Sequence, residues 1–287
     1  MTIIIFHLGN QAYVKQCLQQ ALKYDNEIIL LNDNPAHFKE FSNNTNCKIV
    51  NYNNYTERAN KFKEIYKHYS TNSYQLELIC IFRWFCVYEY MEKHDIKRAF
   101  ICDSDVLIYD TITNIDSQYL KDYDYMLCSS SSKNVTGGQS IWNINKLKEF
   151  VDFIFEFYTG ETVQKKANWW KNYKEPGGIC DMTLLYYFAN NSLDFVGLRL
   201  PHFPYFNQDL TQIFNNELTF DLHLATYGNH PYAEEYEVNE RTKNKHIKFI
   251  NNQPYCYNKR LNKDIRFVLL HFQGRNKAIM KDYYSKS

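Results

Sequence analysis

Asp103 and Asp105 flank Ser104 directly after the apolar run Ala99-Phe100-Ile101-Cys102. A buried strand ending in two carboxylates aims them at the edge of a sheet. Alternation sets both on one side if extended geometry continues through the motif. Carboxylates this close repel and raise each other's pKa unless a cation lies between them. Oxygen donors suit Mg²⁺ or Mn²⁺, ions that bridge a few carboxylates to substrate phosphates. The bare pattern means little in a chain with 16 Asp: a second copy, Asp122-Tyr123-Asp124, has no apolar run before it. Position sets the first copy apart, and strand-end carboxylates that merely accept turn amides are the plain alternative.

Two further groups carry suitable chemistry. Arg83 is the one charge in Ile79-Cys80-Ile81-Phe82-Arg83-Trp84-Phe85-Cys86-Val87. On a helix with no polar stripe its guanidinium is buried or faces a cleft, so it needs an anionic partner. Glu77, Glu89, an Asp or a ligand phosphate in bidentate contact would each serve. Near the end of the chain, strand Arg266 to Leu270 runs into His271-Phe272-Gln273-Gly274-Arg275-Asn276-Lys277. An imidazole at a strand end can ligate a metal, a glycine admits a ligand close to the backbone, and a lysine offers a point charge to phosphate. An ordinary hydrogen-bonded histidine is the alternative there.

The elements that must position these residues follow from hydrophobic periodicity. Thr2 to Phe6 and Glu27 to Leu31 are short apolar runs of the kind covered on both faces of a sheet. Between them, Val14, Cys17, Leu18, Ala21 and Leu22 have helical spacing. Thr56 to Tyr69 reads as a polar amphipathic helix, 74–93 as a longer helix apolar nearly all round, and Ala99 to Cys102 as a third buried strand. This β-α-β-α-α-β order predicts parallel strands with ligands at their carboxyl ends. Beyond it, Tyr125 to Cys128 and Gln139 to Ile144 read as strands around a loop, Ser129 to Gly138. Lys146 to Phe157 and Asp181 to Ala189 read as helices, and 201–262 as loop-rich. No repeat or linker divides the 287 residues, so one domain with two lobes is expected.

Composition narrows the classes. With 45% hydrophobic and 23% charged residues the chain can bury a sizeable core. A net charge of +1 argues against a nucleic-acid binder that works through bulk phosphate attraction. Residues 241–287 are the exception, with twelve Lys or Arg against Asp264 and Asp282. That is a solvated face or an attraction to anionic ligands or an anionic membrane surface. The eight cysteines form no C-x-x-C and read as reduced, buried small hydrophobes. A first apolar stretch of strand length and the lack of any membrane-length run lead to the expectation of a cytoplasmic protein, peripheral at a membrane if the basic segment acts there.

Taken together these residues resemble the GT-A nucleotide-sugar glycosyltransferases, most closely the retaining family-8 group. Ile81-Phe82-Arg83 matches that family's Tyr-x-Arg helix with its Tyr lost. Ile101-Cys102-Asp103-Ser104-Asp105-Val106-Leu107 matches its strand ending in Asp-x-Asp. His271, Gly274 and Lys277 match its terminal His-x-x-Gly-x-x-Lys in full, although Ala278-Ile279 replaces Pro-Trp. The motifs span nearly the whole chain, in the family's order.

The resemblance implies an α/β fold of GT-A (Rossmann-like) type, a single domain with a mixed central sheet flanked by helices. Residues 1–130 would bind the nucleotide sugar, and 131–287 the acceptor and the C-terminal metal and phosphate motif. Asp103, Asp105 and His271 would hold Mn²⁺ or Mg²⁺ on the diphosphate of a UDP-sugar. Lys277 and the Gly274 amide would contact the phosphates, and Arg83 the donor sugar or diphosphate. Leu8, Asn10 and Tyr13 fall where the first loop grips the base, and Ser104 lies inside the metal motif. Thr136-Gly137-Gly138 stands where the family has Asn-Ala-Gly, so Thr136 departs from the pattern, and Gly137 and Gly138 are the implied donor contacts there. Asp181 matches the first Asp of Asp-Gln-Asp, a donor-sugar contact, or else simply caps a helix. Met182 replaces the Gln beneath the anomeric carbon. Asp103, Asp105, Arg83 and Asp181 form the implied catalytic set. A glycan or lipid-linked molecule is the implied acceptor, and Trp169, Trp170, Tyr205, Phe206 and Tyr232 are candidate sugar platforms. A binding protein without turnover is one alternative. A haloacid-dehalogenase-like phosphatase is another, although it would carry its Asp-x-Asp near the N-terminus and a later Gly-Asp, which this sequence lacks.

Overall fold

The computed structural model describes residues 1–131, 134–161, 163–165, 167–168, 178–189, 214–225 and 235–284. The chain begins with β1 (Thr2–His7), α1 (Ala12–Leu22), β2 (Glu27–Asn32) and β3 (Cys47–Asn51). It continues through α2 (Glu57–Ile65), α3 (Tyr74–Lys93), β4 (Arg98–Cys102), β5 (Val106–Ile108) and the short α4 (Ile112–Ile115). Strands β6 (Tyr125–Ser131) and β7 (Asn134–Asn143) lead into α5 (Ile144–Thr159) and, later, α6 (Asp181–Ala189). Then come β8 (Leu218–Phe220), β9 (Lys248–Ile250), β10 (Gln253–Asn258), β11 (Lys263–His271) and α7 (Met280–Tyr284).

Six strands form a mixed sheet in the order β3-β2-β1-β4-β7-β6. Its first four strands are parallel, and β7 runs antiparallel to both β4 and β6. Alternation along the strands separates two cores. Ile3, Ile5, Leu30, Phe100 and Cys102 face α1 and the second sheet, whereas Ile4, Ile29, Leu31, Ala99 and Ile101 face α2, α3, α5 and α6. Coverage on both faces is why these strands read as unbroken apolar runs. The second sheet has the order β5-β11-β10-β9, with β8 parallel to β11. Among the described residues no helix is long and apolar enough to cross a membrane. All eight cysteines are unpaired, and six of them are buried.

Several expectations need correction. Cys47–Asn51 is a strand that periodicity did not reveal; it lies at the sheet edge and fully buries only Cys47, so its apolar signal is weak. Helix α2 stops at Ile65 rather than Tyr69, because Tyr66 turns extended and packs its ring against Phe62 and Tyr158. The loop expected over Ser129 to Gly138 is mostly strand, since β6 and β7 continue as a hairpin. Within 201–262, read as loop, lie β8, β9 and β10.

Candidate active site

Asp103-Ser104-Asp105 is the joint between the two sheets. It follows β4 and precedes β5, and Ser104 and Asp105 form a turn. Extended geometry therefore does not persist through the motif, and the two carboxylates converge for another reason. Strand β5 pairs antiparallel with the end of β11, setting His271 opposite Val106, while the Phe272 amide donates to the Asp105 carbonyl at 2.8 Å. This pairing brings a histidine 166 residues away in sequence onto the Asp-x-Asp turn.

One ligand atom each from Asp103, Asp105 and His271 lies within 4.8 Å of the others. His271 Nε2 stands 3.2 Å from Asp105 Oδ1 and 3.9 Å from Asp103 Oδ2. It is buried yet makes no properly aligned hydrogen bond. Its other nitrogen, Nδ1, lies 2.8 Å from the Leu222 carbonyl, an acceptor only, so Nδ1 carries a proton and Nε2 offers its lone pair once the ring is neutral. Burial disfavours the imidazolium, but Asp105, Asp103 and the Leu222 carbonyl outweigh it and raise the pKa to about 9. For Asp105 burial pushes the carboxyl up, whereas His271 and Lys277 pull it well below the usual range. Two carboxylates and an imidazole nitrogen orphaned between them fit a divalent cation that accepts oxygen and nitrogen donors.

On the helical side, Arg83 reaches out of α3. Its Nη1 donates to Asp103 Oδ1 at 2.6 Å and its Nη2 to Asp181 Oδ2 at 2.8 Å. Burial opposes the guanidinium charge, but these two carboxylates hold it firmly protonated. Asp181 is the first residue of α6 and accepts the Met182 amide at 2.9 Å. Burial raises its carboxyl, and Arg83 draws it back. Of the partners open to Arg83 in the sequence, Glu89 instead accepts the first amides of α2, and Glu77 accepts from Asn72. Ile179 donates to the Tyr69 carbonyl at 2.7 Å, tying the approach to α6 to the segment before α3.

Both glycines of β7 lie at close approaches. A Cβ on Gly138 would overlap the Asp103 carboxylate, and one on Gly137 would overlap the Trp84 ring. The Gly138 carbonyl also accepts the Asp103 amide at 2.7 Å. Lys277 Nζ stands 3.2 Å from Asp105 Oδ2 and 5.3 Å from the Tyr13 ring centre. Gly274 has φ +63, the left-handed region, with no atom near its missing Cβ. Leu8 and Asn10 sit in the β1–α1 loop, where the intervening Gly9 amide donates to Asp33.

The structure thus gathers Asp103, Asp105, His271, Arg83, Asp181, Ser104, Gly138, Lys277 and Tyr13 into one connected set. Trp169, Trp170, Tyr205, Phe206 and Tyr232 lie outside the described residues. Sequence reasoning missed His7: its Nε2 is 2.6 Å from Gln11 Oε1 and its Nδ1 is 2.8 Å from Ser104 Oγ. Burial lowers its pKa and keeps the ring neutral, so Nδ1 accepts from Ser104 and steadies the turn between the two carboxylates. It also missed Asp221 and Lys245, a buried pair behind His271. An acid directly after the apolar strand Leu218–Phe220, the same arrangement as at Asp103, is the signal that could have found Asp221.

No family model matches the sequence, and no curated protein sequence matches it. Solved structures do resemble it. Mouse xyloside xylosyltransferase 1 in its apo form superposes with a TM-score of 0.50 at 11% identity, covering 82% of this chain and 92% of that one. A glycosyltransferase involved in glycosylation of the major capsid of PBCV-1 covers 100% of this chain and 98% of its own, at 12% identity and a TM-score of 0.43. Galactosyltransferase LgtC in complex with donor and acceptor sugar analogues covers 64% and 69%, at 16% identity and a TM-score of 0.37. The superposition on the mouse enzyme and the mixed sheet flanked by helices give the chain the GT-A fold.

Proposed function

We propose that this protein is a metal-dependent glycosyltransferase. It would move a hexose from a nucleotide-diphosphate sugar, a UDP-sugar in the first instance, to a hydroxyl of a glycan or lipid-linked acceptor, with retention at the anomeric carbon. The observation that carries this reading is the convergence of Asp103, Asp105 and His271 on one point, with Lys277 and Arg83 on either side of it. A fold shared with a xylosyltransferase supports the reaction class by analogy.

Asp103, Asp105 and His271 would hold Mn²⁺ or Mg²⁺, which when bound supplies positive charge against the departing diphosphate. Lys277 adds a second charge, and Gly274 leaves room for phosphate at the backbone. Arg83, fixed by its two carboxylates, presents a guanidinium in set orientation where negative charge develops, so little reorganisation is needed during the reaction. Asp181 has lone pairs left for a donor-sugar hydroxyl. A hydroxyl that attacks from the face the diphosphate leaves retains configuration, and the departing phosphate oxygen can take its proton. Met182, 39% exposed beside Asp181, offers no side-chain nucleophile, consistent with such a path. We further propose that the two sheets form one GT-A unit, with the donor held by 1–130 and the acceptor by 131–287. The basic segment 241–287 would favour an anionic membrane surface. Salt-insensitive association with anionic liposomes would count against that last point.

Donor hydrolysis tests the central claim. UDP-, GDP- and dTDP-sugars are incubated with the protein in Mn²⁺, Mg²⁺ or EDTA, beside Asp105→Ala and His271→Ala. Cleavage of one donor, only with metal and in neither variant, is the expected result. If no donor is cleaved or bound with metal present, the reading is wrong. Metal-dependent binding without cleavage would favour a binding protein in which Met182 stands in for a needed amide.

A further inference from the structure

Behind His271 lies a buried ion pair that touches none of the residues assigned to substrate. Asp221 and Lys245 have side chains 0% and 7% exposed, with Lys245 Nζ 2.8 Å from Asp221 Oδ1. A pair this deep is costly to desolvate, and apolar residues in its place are often as stable. Its outward side-chain hydrogen bonds run to His271 itself and to His223, the residue after the peptide carbonyl that faces the ring. Asp221 Oδ2 accepts the His271 backbone amide at 3.1 Å, and Asp221 Oδ1 accepts the His223 amide at 3.3 Å. Lys245 Nζ donates to the His223 carbonyl at 2.5 Å. The residue between these anchors is Leu222, whose carbonyl accepts from His271 Nδ1. The Leu224 amide closes the loop by donating to the His271 carbonyl at 2.9 Å. Residues 221–224 therefore wrap the ring, and the ion pair fixes both ends of the peptide that faces Nδ1.

We infer that Asp221 and Lys245 are positioning residues for a divalent cation. They hold the Leu222 carbonyl on His271 Nδ1, which keeps the Nε2 lone pair turned toward Asp103 and Asp105. This deepens the proposed function and rests on its metal site. A carbonyl or carboxylate partner on the far nitrogen of a ligating histidine fixes its tautomer and orientation, and loss of such a partner lowers metal affinity about 10–100-fold.

The experiment measures Mn²⁺ affinity by the loss of the free-ion electron paramagnetic resonance signal, with thermal unfolding run alongside. Asp221→Asn/Lys245→Met removes both charges at similar volume. Its control, Asp110→Asn/Arg266→Met, removes another partly buried pair, bonded at 2.6 Å and sharing strand β11 with His271 but not touching it. The inference requires Mn²⁺ binding about 10–100-fold weaker in the first double variant. The control must stay within about twofold of the parent, whatever each loses in melting temperature. If the first double variant is insoluble, Asp221→Asn alone decides, since it removes one acceptor oxygen without changing volume. Unchanged affinity in that variant, or equal weakening in variant and control, overturns the inference and leaves the metal site standing. Absence of Mn²⁺ binding in the parent overturns the metal site itself, and the inference with it.

Discussion

Asp103 and Asp105 stand two residues apart and sit in different surroundings. Asp103, with a side chain 28% exposed, is bound to Arg83 on α3 and through it to Asp181 on α6. Asp105, 8% exposed, is held by His271 and Lys277 from the last strand and the segment after it. The first belongs to the helices that flank the large sheet, the second to the small sheet. A cation between them would join the two halves of the site, and each half can be disturbed separately.

The largest expected effect is on the Asp105 side. Asp105→Asn leaves Lys277 facing no carboxylate and His271 only the more distant Asp103, and it removes one of two acidic ligands. Donor turnover should fall by at least about 10²–10³-fold, with Mn²⁺ binding reduced to background in the same resonance assay. Stability should fall less than on the other side, because Lys277 is partly exposed and can turn to solvent and the buried His271 ring can shed its proton once Asp105 no longer favours the charged form. If Asp105→Asn keeps near-parental turnover, the cation does not sit between the halves.

On the Asp103 side stability should suffer first. Arg83→Met strands two carboxylates, one of them in the wall of α6, and breaking a buried pair from one side costs about 3–5 kcal/mol. Urea unfolding reads this as a lower midpoint at constant slope. Arg83→Lys restores the charge but not two separate donors, so it should recover stability in part and turnover less. Equal recovery of both would make Arg83 a structural cation alone.

The adjacent glycines sharpen the contrast at a smaller scale. Gly137→Ala drives a methyl into Trp84, a fully buried ring that stacks edge-on against Trp142 and Phe150, and should cost about 1–3 kcal/mol. Gly138→Ala meets the Asp103 carboxylate instead, which can swing. It should cost less stability but weaken Mn²⁺ binding measurably. The same substitution one residue apart would then separate core from site.

How much of this the sequence carried follows from where each interaction is encoded. Three of the four parallel strands were legible because burial on both faces leaves a local signature, as in Ile3-Ile4-Ile5 and Ile28-Ile29-Leu30, whereas β3 at the sheet edge leaves none. Arg83 announced itself as one charge in an apolar helix, although nothing local said that Asp103 and Asp181 would be its partners. His271 could be suspected only from its company of Gly274 and Lys277, because the contact that matters is the β5–β11 pairing. Extended geometry through Ser104 is only a condition in the sequence, and the turn there is decided by the contact with His7, distant in sequence, and by the change of sheet. Asp221 left one local signal, its place after the short strand Leu218–Phe220, but its pairing with Lys245 was illegible: a lysine in a loop-rich stretch looks solvated until the fold buries it.

The smallest expected effect lies on Tyr13, where the two halves meet the first loop. Its ring lies edge-on to His7 at 5.8 Å and beneath Lys277 at 5.3 Å. A cation over an aromatic face at a partly exposed site contributes about 0.5–1 kcal/mol. Tyr13→Leu keeps the apolar body and removes the ring, so Lys277 should lose a modest orienting contact and a nucleobase its stacking surface. The expected signature is a KM for the nucleotide sugar raised about two- to fivefold with kcat nearly unchanged, since such a contact holds ground state and transition state alike. A large fall in kcat instead would mean that Tyr13 steadies Lys277 during departure of the diphosphate, and would move the ring from the binding loop into the Asp105 half of the site.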